Sequence, residues 1–396
     1  MKNLGTLYRF ELRKILSRKL TWAFLTIILL FCVSNIMMVS NSNAITVEYT
    51  NENGMLTSAS FKYKEFFKGH ESAQKIAGQP MDDTFFAEMG KSIPQFDESE
   101  LAYFLMHDAT YQHAYDMIDG LVEDPRTTTE EYFYSTLEMM QERMWNQQEL
   151  TDSEKDYWRE KVSEIETPFI YKRPWVATSL LFDFFHHFLD LLPLVVAVCL
   201  CMIFSEDRHM RVEALVFSSK NSRRPLFMAK MSAGITGALF MAVLVIGTTM
   251  ITHFVIWGTE GLDAAIQMID ITSGLSINVY QVILAQIIWF IVLAIVYAGV
   301  TMLTSVLTHS GIASFLTPIA LMLFVSDFID STTSRITDYL PENLVGWIPE
   351  YNCRLVNIFG VQMNCLQFAP LLYGGIAIVL LFLCGLGWRR VACGIK

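Results

Sequence analysis

Between Ile271 and Ser326 there is no Asp, Glu, Lys or Arg, a gap of 56 residues. No water-soluble surface tolerates such a stretch, and a helix needs only about 20 apolar residues, each rising about 1.5 Å, to cross a hydrocarbon core. The same four residue types are missing from Leu20 to Val39, from Met231 to Trp257 and from Leu355 to Trp388. Charged residues are scarce overall at 17%, against 53% hydrophobic ones and a mean hydropathy of +0.35. These values exclude an ordinary soluble enzyme. Cysteine is absent from the long segment 41–178, and no internal repeat or low-complexity tract occurs.

The apolar stretches predict an α-helical polytopic membrane protein with six transmembrane helices. The first covers 20–40 and the second about Ser179 to Phe204. The third runs from Met231 to Trp257. Two more share 271–326, with a turn at Thr308-His309-Ser310-Gly311, and the last begins at about Phe368. Ser42 and Ala44 have the small side chains of a signal-cleavage site, but the run before them is about 20 residues, longer than the usual 7 to 15. It is read as a retained span.

Positive charge is missing from one side of this topology. Outside 41–173 there are 17 Lys and Arg, and 15 of them fall in residues 2–19, 208–230 and 389–396. The loops 258–281 and 327–367 hold only Arg335 and Arg354. The positive-inside rule then puts both termini in the cytoplasm and the chain in the plasma membrane as a multi-pass protein. Residues 41–173 carry 26 acidic and 12 basic side chains, a net of −14, and the rest of the chain carries +3. An acidic outer domain of this kind argues against a nucleic-acid partner.

The predicted units are a cytoplasmic amphipathic elbow helix (1–19), the first span (20–40), a mainly helical extracellular domain between helices 1 and 2 (41–178), and the remaining five spans (179–396). The last unit includes a cytoplasmic loop at 205–230 and an outer loop at 327–367. In the elbow, Leu4, Leu7, Tyr8, Leu12, Ile15 and Leu16 recur at helical spacing beside Arg9, Arg13 and Lys14. The outer domain opens with alternation at Ile45, Val47 and Tyr49, followed by Asn51-Glu52-Asn53-Gly54, which predicts a hairpin. Asp97 with Glu100, Thr128 with Glu131, and Thr151 with Glu154 have capping-box spacing. Ser232, Gly234, Gly237 and Ala238 predict close approach of a neighbour to the third span.

Few residues suggest chemistry. Met89-Gly90-Lys91-Ser92 resembles the end of a phosphate loop, but its first Gly position holds Phe85. His70-Glu71 lacks the second His of a zinc protease, and His107, Asp108 and His113 match no metal spacing. No catalytic, cofactor or metal residue is assigned. Asp183, His186, His187 and Asp190 stand at the outer end of the second span, where ionisable groups line either a translocation vestibule or the membrane interface. Cys353 and Cys365 share the last outer loop, and a disulfide between them is an option that spacing alone does not decide.

The inner loop is the most specific segment. It orders Phe204, Glu206, Ser218, Ser219, Lys220, Arg223 and Lys230, and in this it resembles the type-2 permease family of ATP-binding-cassette exporters. At its start the chain has Arg211-Val212-Glu213 where the family has Gly-Thr. The resemblance implies two permease subunits around a central path and separate cytoplasmic ATPase subunits that bind ATP and Mg. It implies no cofactor on this chain. It also implies coupling through Arg9, Arg13, Lys14, Glu206, Arg211, Glu213, Arg223, Arg224 and Lys230, and export of a peptide or other amphiphile, as in bacteriocin immunity. Membrane lipid is the remaining partner. The alternative is a membrane receptor whose outer domain binds a peptide and signals through the inner loop.

Overall fold

The computed structural model describes residues 4–41, 43–50, 56–62, 73–92, 110–118, 121–173, 181–182, 184–185, 187, 189–211, 224–331, 339–341 and 353–392. The chain is mostly helical. Helices α1 (Leu4–Leu16) and α2 (Lys19–Asn41) precede the hairpin β1 (Asn43–Thr50) and β2 (Leu56–Lys62). The helices α3 (Asp83–Ser92), α4 (Gln112–Ile118), α5 (Glu130–Gln147) and α6 (Asp152–Ser163) follow. After them come α7 (Leu191–Leu200), the single turn α8 (Glu206–His209), α9 (Arg224–Trp257), α10 (Val279–Thr308) and α11 (Gly311–Ser331). The hairpin β3 (Val356–Ile358) and β4 (Val361–Met363) leads into α12 (Cys365–Ala392).

Four helices are long and apolar enough to cross a bilayer: Lys19–Asn41, Arg224–Trp257, Val279–Thr308 and Cys365–Arg390. They mark a membrane protein. Leu191–Leu200 and Gly311–Val325 are shorter apolar helices, so four of the six expected spans meet the length criterion among the described residues. The predicted turn between the fourth and fifth spans is present: α10 ends at Thr308, His309 caps it in the left-handed conformation (φ 53°), and α11 begins at Gly311.

Helix α9 differs from expectation at its start. Its charge-free part begins at Met231, but the helix begins at Arg224 and reaches 34 residues. At about 1.5 Å per residue that is roughly 50 Å, longer than a hydrocarbon core of about 30 Å. The extra turns carry Lys230 into the bundle, where it is fully buried. Small residues then allow close packing. A Cβ on Gly234 would lie 2.6 Å from Met302 Sδ and 2.9 Å from Ile203 Cδ1, and one on Gly237 would lie 3.4 Å from both Ile15 and Cys199. Ser232, by contrast, turns its hydroxyl back to Met228 O and stays exposed.

Beyond the other end of the spans lies a cap whose aromatic core is continuous with that of the bundle. Phe85, Phe86, Phe133, Phe169 and Tyr171 are buried in it and stack edge-on or tilted, with centroids about 5 to 6 Å apart. The segment after α6 is tied back by Gly78 N donating to Tyr171 O, Tyr171 N to Gln79 O and Met81 N to Phe169 O, each at 2.8 Å. Thr151 and Glu154 form the expected capping box. At α5 the cap is Thr129, one residue later than Thr128, and Asp83 also accepts from Glu130 N. The pair Asp97 and Glu100 lies outside the described residues, as do Asn51 to Gly54 of the predicted turn, although β1 and β2 pair antiparallel as expected.

The cap is built from three outer segments. Gln141 donates to Thr272 O at 3.2 Å, and Lys172 pairs with Asp263 at 2.5 Å, which ties in the loop after α9. From the last loop, Cys353 N donates to Gln148 Oε1, Leu355 N to Glu154 Oε1 and Gln362 to Ser153. Trp158 donates to Cys353 O from a small apolar cluster with Trp145, Leu150 and Leu355. Cys353 and Cys365 are both buried. Burial pushes the Cys353 thiol up to about 12.

Candidate functional site

The site is a corner where α1, the end of the α7 segment and the start of α9 meet. Helix α1 forms because its apolar residues recur at helical spacing, and it ends where Trp22 Nε1 donates to Leu16 O at 2.6 Å. The face of α1 that packs on α9 contains Tyr8, Glu11 and Ile15. Ile15 meets Gly237, and Tyr8 OH donates to Thr236 Oγ1 at 3.1 Å. Glu11, only 4% exposed, is thereby driven into the interior. It requires a cation there.

Lys230 supplies that cation. Its ammonium donates to Glu11 Oε2 at 3.1 Å and to Ile203 O at 2.9 Å, and lies 3.2 Å from Asp207 Oδ2. Lys14 adds a second cation 3.3 Å from Asp207 Oδ1. Alongside, Arg18 pairs with Glu206 at 2.9 Å and donates to Cys199 O. Lys14, Arg18 and Lys230 thus oppose Glu11, Glu206 and Asp207, with charges balanced within the cluster.

Protonation follows from this geometry. Burial acts to raise the Asp207 carboxyl, but the Lys230 and Lys14 ammonium groups outweigh it and hold it below the ordinary Asp range. Burial acts to lower Lys14, and the carboxylates of Glu11, Asp207 and Glu206 together raise it above the ordinary Lys value. Both shifts favour the ionised forms of Asp207 and Lys14 within the cluster. The cluster can transmit position between three segments of backbone, because each charge is costly to strand.

The coupling residues expected from sequence divide into two groups. Lys14, Glu206 and Lys230 are inside the cluster, whereas Arg9, Arg13, Arg211 and Arg224 are exposed. Glu213 and Arg223 lie outside the described residues. Glu11, Arg18 and Asp207 were missed, and two signals could have found them. Glu11 is the one acid before Glu48 and shares a helix face with Tyr8 and Ile15, while Lys230 stands alone at the start of a charge-free span and needs a counter-ion.

Of the vestibule residues, His187 and Asp190 are exposed at the start of the second apolar segment, and Asp183 and His186 lie outside the described residues. His253 is buried nearby, with its ring 6.2 Å from that of Phe184. Met89 to Ser92 close helix α3, and Gly90 there allows close packing: a Cβ would sit 2.2 Å from Arg126 O. His113 Nδ1 lies 3.2 Å from Tyr171 OH, while His107, Asp108, His70 and Glu71 are not among the described residues. Among the described residues no three His, Cys, Asp or Glu side chains gather as metal ligands would. No family model, curated protein or solved structure matches this chain.

Proposed function

We propose that this chain is the permease subunit of an ATP-driven exporter, with six crossings, both termini in the cytoplasm, and a separate ATPase that binds ATP and Mg. The observation that carries the proposal is the buried cluster of Glu11, Lys230 and Asp207. It fixes an amphipathic helix and the inner loop to the first turns of a span, which is what a coupling element requires. The order of Phe204, Glu206 and Lys230 along the loop, shared with type-2 permeases, supports the same reading.

On this reading the exposed cations Arg9, Arg13, Arg211 and Arg224, with Arg223 and Glu213, form the face that meets the ATPase. Lys14, Glu206 and Lys230 hold that face to the bundle. A displacement of α1 is passed to α9 through Glu11 and Lys230 and to the second span through Asp207 and Glu206. A second permease subunit completes the path, and Asp183, His186, His187 and Asp190 line its outer vestibule. The cargo is a peptide or other amphiphile.

Co-purification from native membranes tests the proposal. The full chain is expected to retain a nucleotide-hydrolysing subunit, and Arg211→Glu with Arg224→Glu to lose it without loss of folded protein. Unchanged retention in that variant contradicts the docking face. No ATPase, together with peptide binding at the cap, would favour the receptor. Extracellular labelling of a cysteine placed at position 220 would overturn the topology.

A further inference from the structure

The hairpin β3–β4 ends in an aromatic residue held in an unusual conformation. Ile358 pairs with Val361, so Phe359 and Gly360 alone form the turn, and both have positive φ, 51° and 87°. A two-residue turn of that hand favours Asn-Gly, and a bulky side chain rarely adopts left-handed backbone. Gly360 suits the turn and Phe359 does not. Gly360 N nevertheless donates to Asn357 Oδ1 at 2.9 Å and closes it, leaving the Phe359 side chain wholly exposed beside Val361, itself 55% exposed. Leu355 N on Glu154 and Gln362 on Ser153 tie the base of the hairpin to the cap.

The place of the hairpin along the chain decides what that ring meets. Helix α12 begins two residues after β4 ends, and its span Cys365–Arg390 is 26 residues, roughly 39 Å at about 1.5 Å each. That exceeds a hydrocarbon core of about 30 Å and approaches the roughly 40–45 Å of a bilayer with its headgroups, so Cys365 stands at headgroup level when Arg389 and Arg390 stand at the opposite one. Three strand residues at about 3.3 Å each keep the tip within about 10 Å of that level. No Asp, Glu, Lys or Arg occurs from Leu355 to Trp388, so no charge on the hairpin opposes contact with lipid. We propose that the hairpin tip is a lipid anchor, with Phe359 inserted into the leaflet where α12 begins, and that this contact accounts for an exposed aromatic at a position that favours Asn. The anchor requires α12 to span a bilayer and requires no ATPase.

The test uses the full-length protein in phosphatidylcholine nanodiscs. A nitroxide attached to Phe359→Cys should be more accessible to dissolved oxygen than to a water-soluble nickel complex, with labelled wild type as background. The reverse order is expected at Asp156→Cys, on the 73% exposed side chain of a cap helix. Phe359→Asn removes the ring and suits the turn, because Asn tolerates left-handed backbone, so thermal unfolding in detergent should show no loss. In nanodiscs the same variant should be cut at the hairpin several-fold faster by a non-specific protease, while Phe359→Trp, which keeps an aromatic ring, should be cut as slowly as wild type. Greater access of the nickel complex than of oxygen at position 359, or cleavage of Phe359→Asn at the wild-type rate, would overturn the anchor. Exclusion of both reagents from that position would overturn it as well, and would assign the tip to a protein partner.

Discussion

The corner and the cap are held together in different ways. In the corner, three segments far apart in sequence meet through ionised groups within an apolar bundle, and Lys230 is completely buried among its partners. In the cap, the segments meet through aromatic packing and hydrogen bonds to backbone, while its ion pairs, such as Arg159 with Glu142, are half exposed. The corner therefore depends on individual residues, because removing one charge strands another. The cap distributes its stability, and single surface contacts there count for little.

Substitutions that exploit this difference have a clear order. Lys230→Met should be the most damaging, since it removes the buried cation shared by Glu11 and Asp207 and leaves Glu11 only Lys14, 4.0 Å away; about 3–5 kcal/mol is expected for one partner removed from a buried pair. Thermal unfolding of the purified protein in detergent checks it, and a loss under about 1 kcal/mol would place the corner with ordinary surface pairs. Glu154→Ala comes next, because one side chain both caps α6 and accepts from Leu355 N. Loss of the cap and the buried bond should cost about 2 kcal/mol. Proteolysis should then increase at the hairpin β3–β4, the segment that Glu154 anchors.

Lys172→Ala removes a pair with Asp263 that is short but largely exposed, and the expected change is about 0–1 kcal/mol. The smallest effect near neutrality is that of pH. Asp207 has a lowered pKa in the folded chain, so its contribution is complete above the ordinary Asp value and is lost as pH falls through the folded one. Lys14 has a raised pKa, so its contribution is complete below the ordinary Lys value and is lost as pH rises past the folded one. The stability contributed by Asp207 and Lys14 should be flat from about pH 5 to 9, and a transition near pH 6.5 would mean that a histidine governs it instead.

The same difference decides what could be read from sequence. Charge-free runs located the four long spans because lipid penalises charge at every position, and the reversal at His309 was legible from the polar residues interrupting such a run. The Thr151 capping box was legible because it is local. Lys230 was recognised as important, but its buried position was not, because the charges from Arg224 to Lys230 hid the first two turns of α9 from a hydropathy reading. The joining of Gln148 to Cys353 and of Gln141 to Thr272 left no trace, since contacts between distant segments have no local pattern. The shift of the α5 cap from Thr128 to Thr129 reflects two adjacent threonines between which spacing alone could not choose.

The joining of α1 and α9 through Glu11 and Lys230 is what makes the corner one unit, and a double-mutant cycle measures it directly. Unfolding free energies of the wild type, Glu11→Gln, Lys230→Met and the pair should show the double variant losing less than the two singles combined, with a coupling of about 1–3 kcal/mol for groups in direct contact. Additive losses, within about 0.5 kcal/mol, would mean that the two side chains stabilise the protein separately and that the corner does not act as one unit.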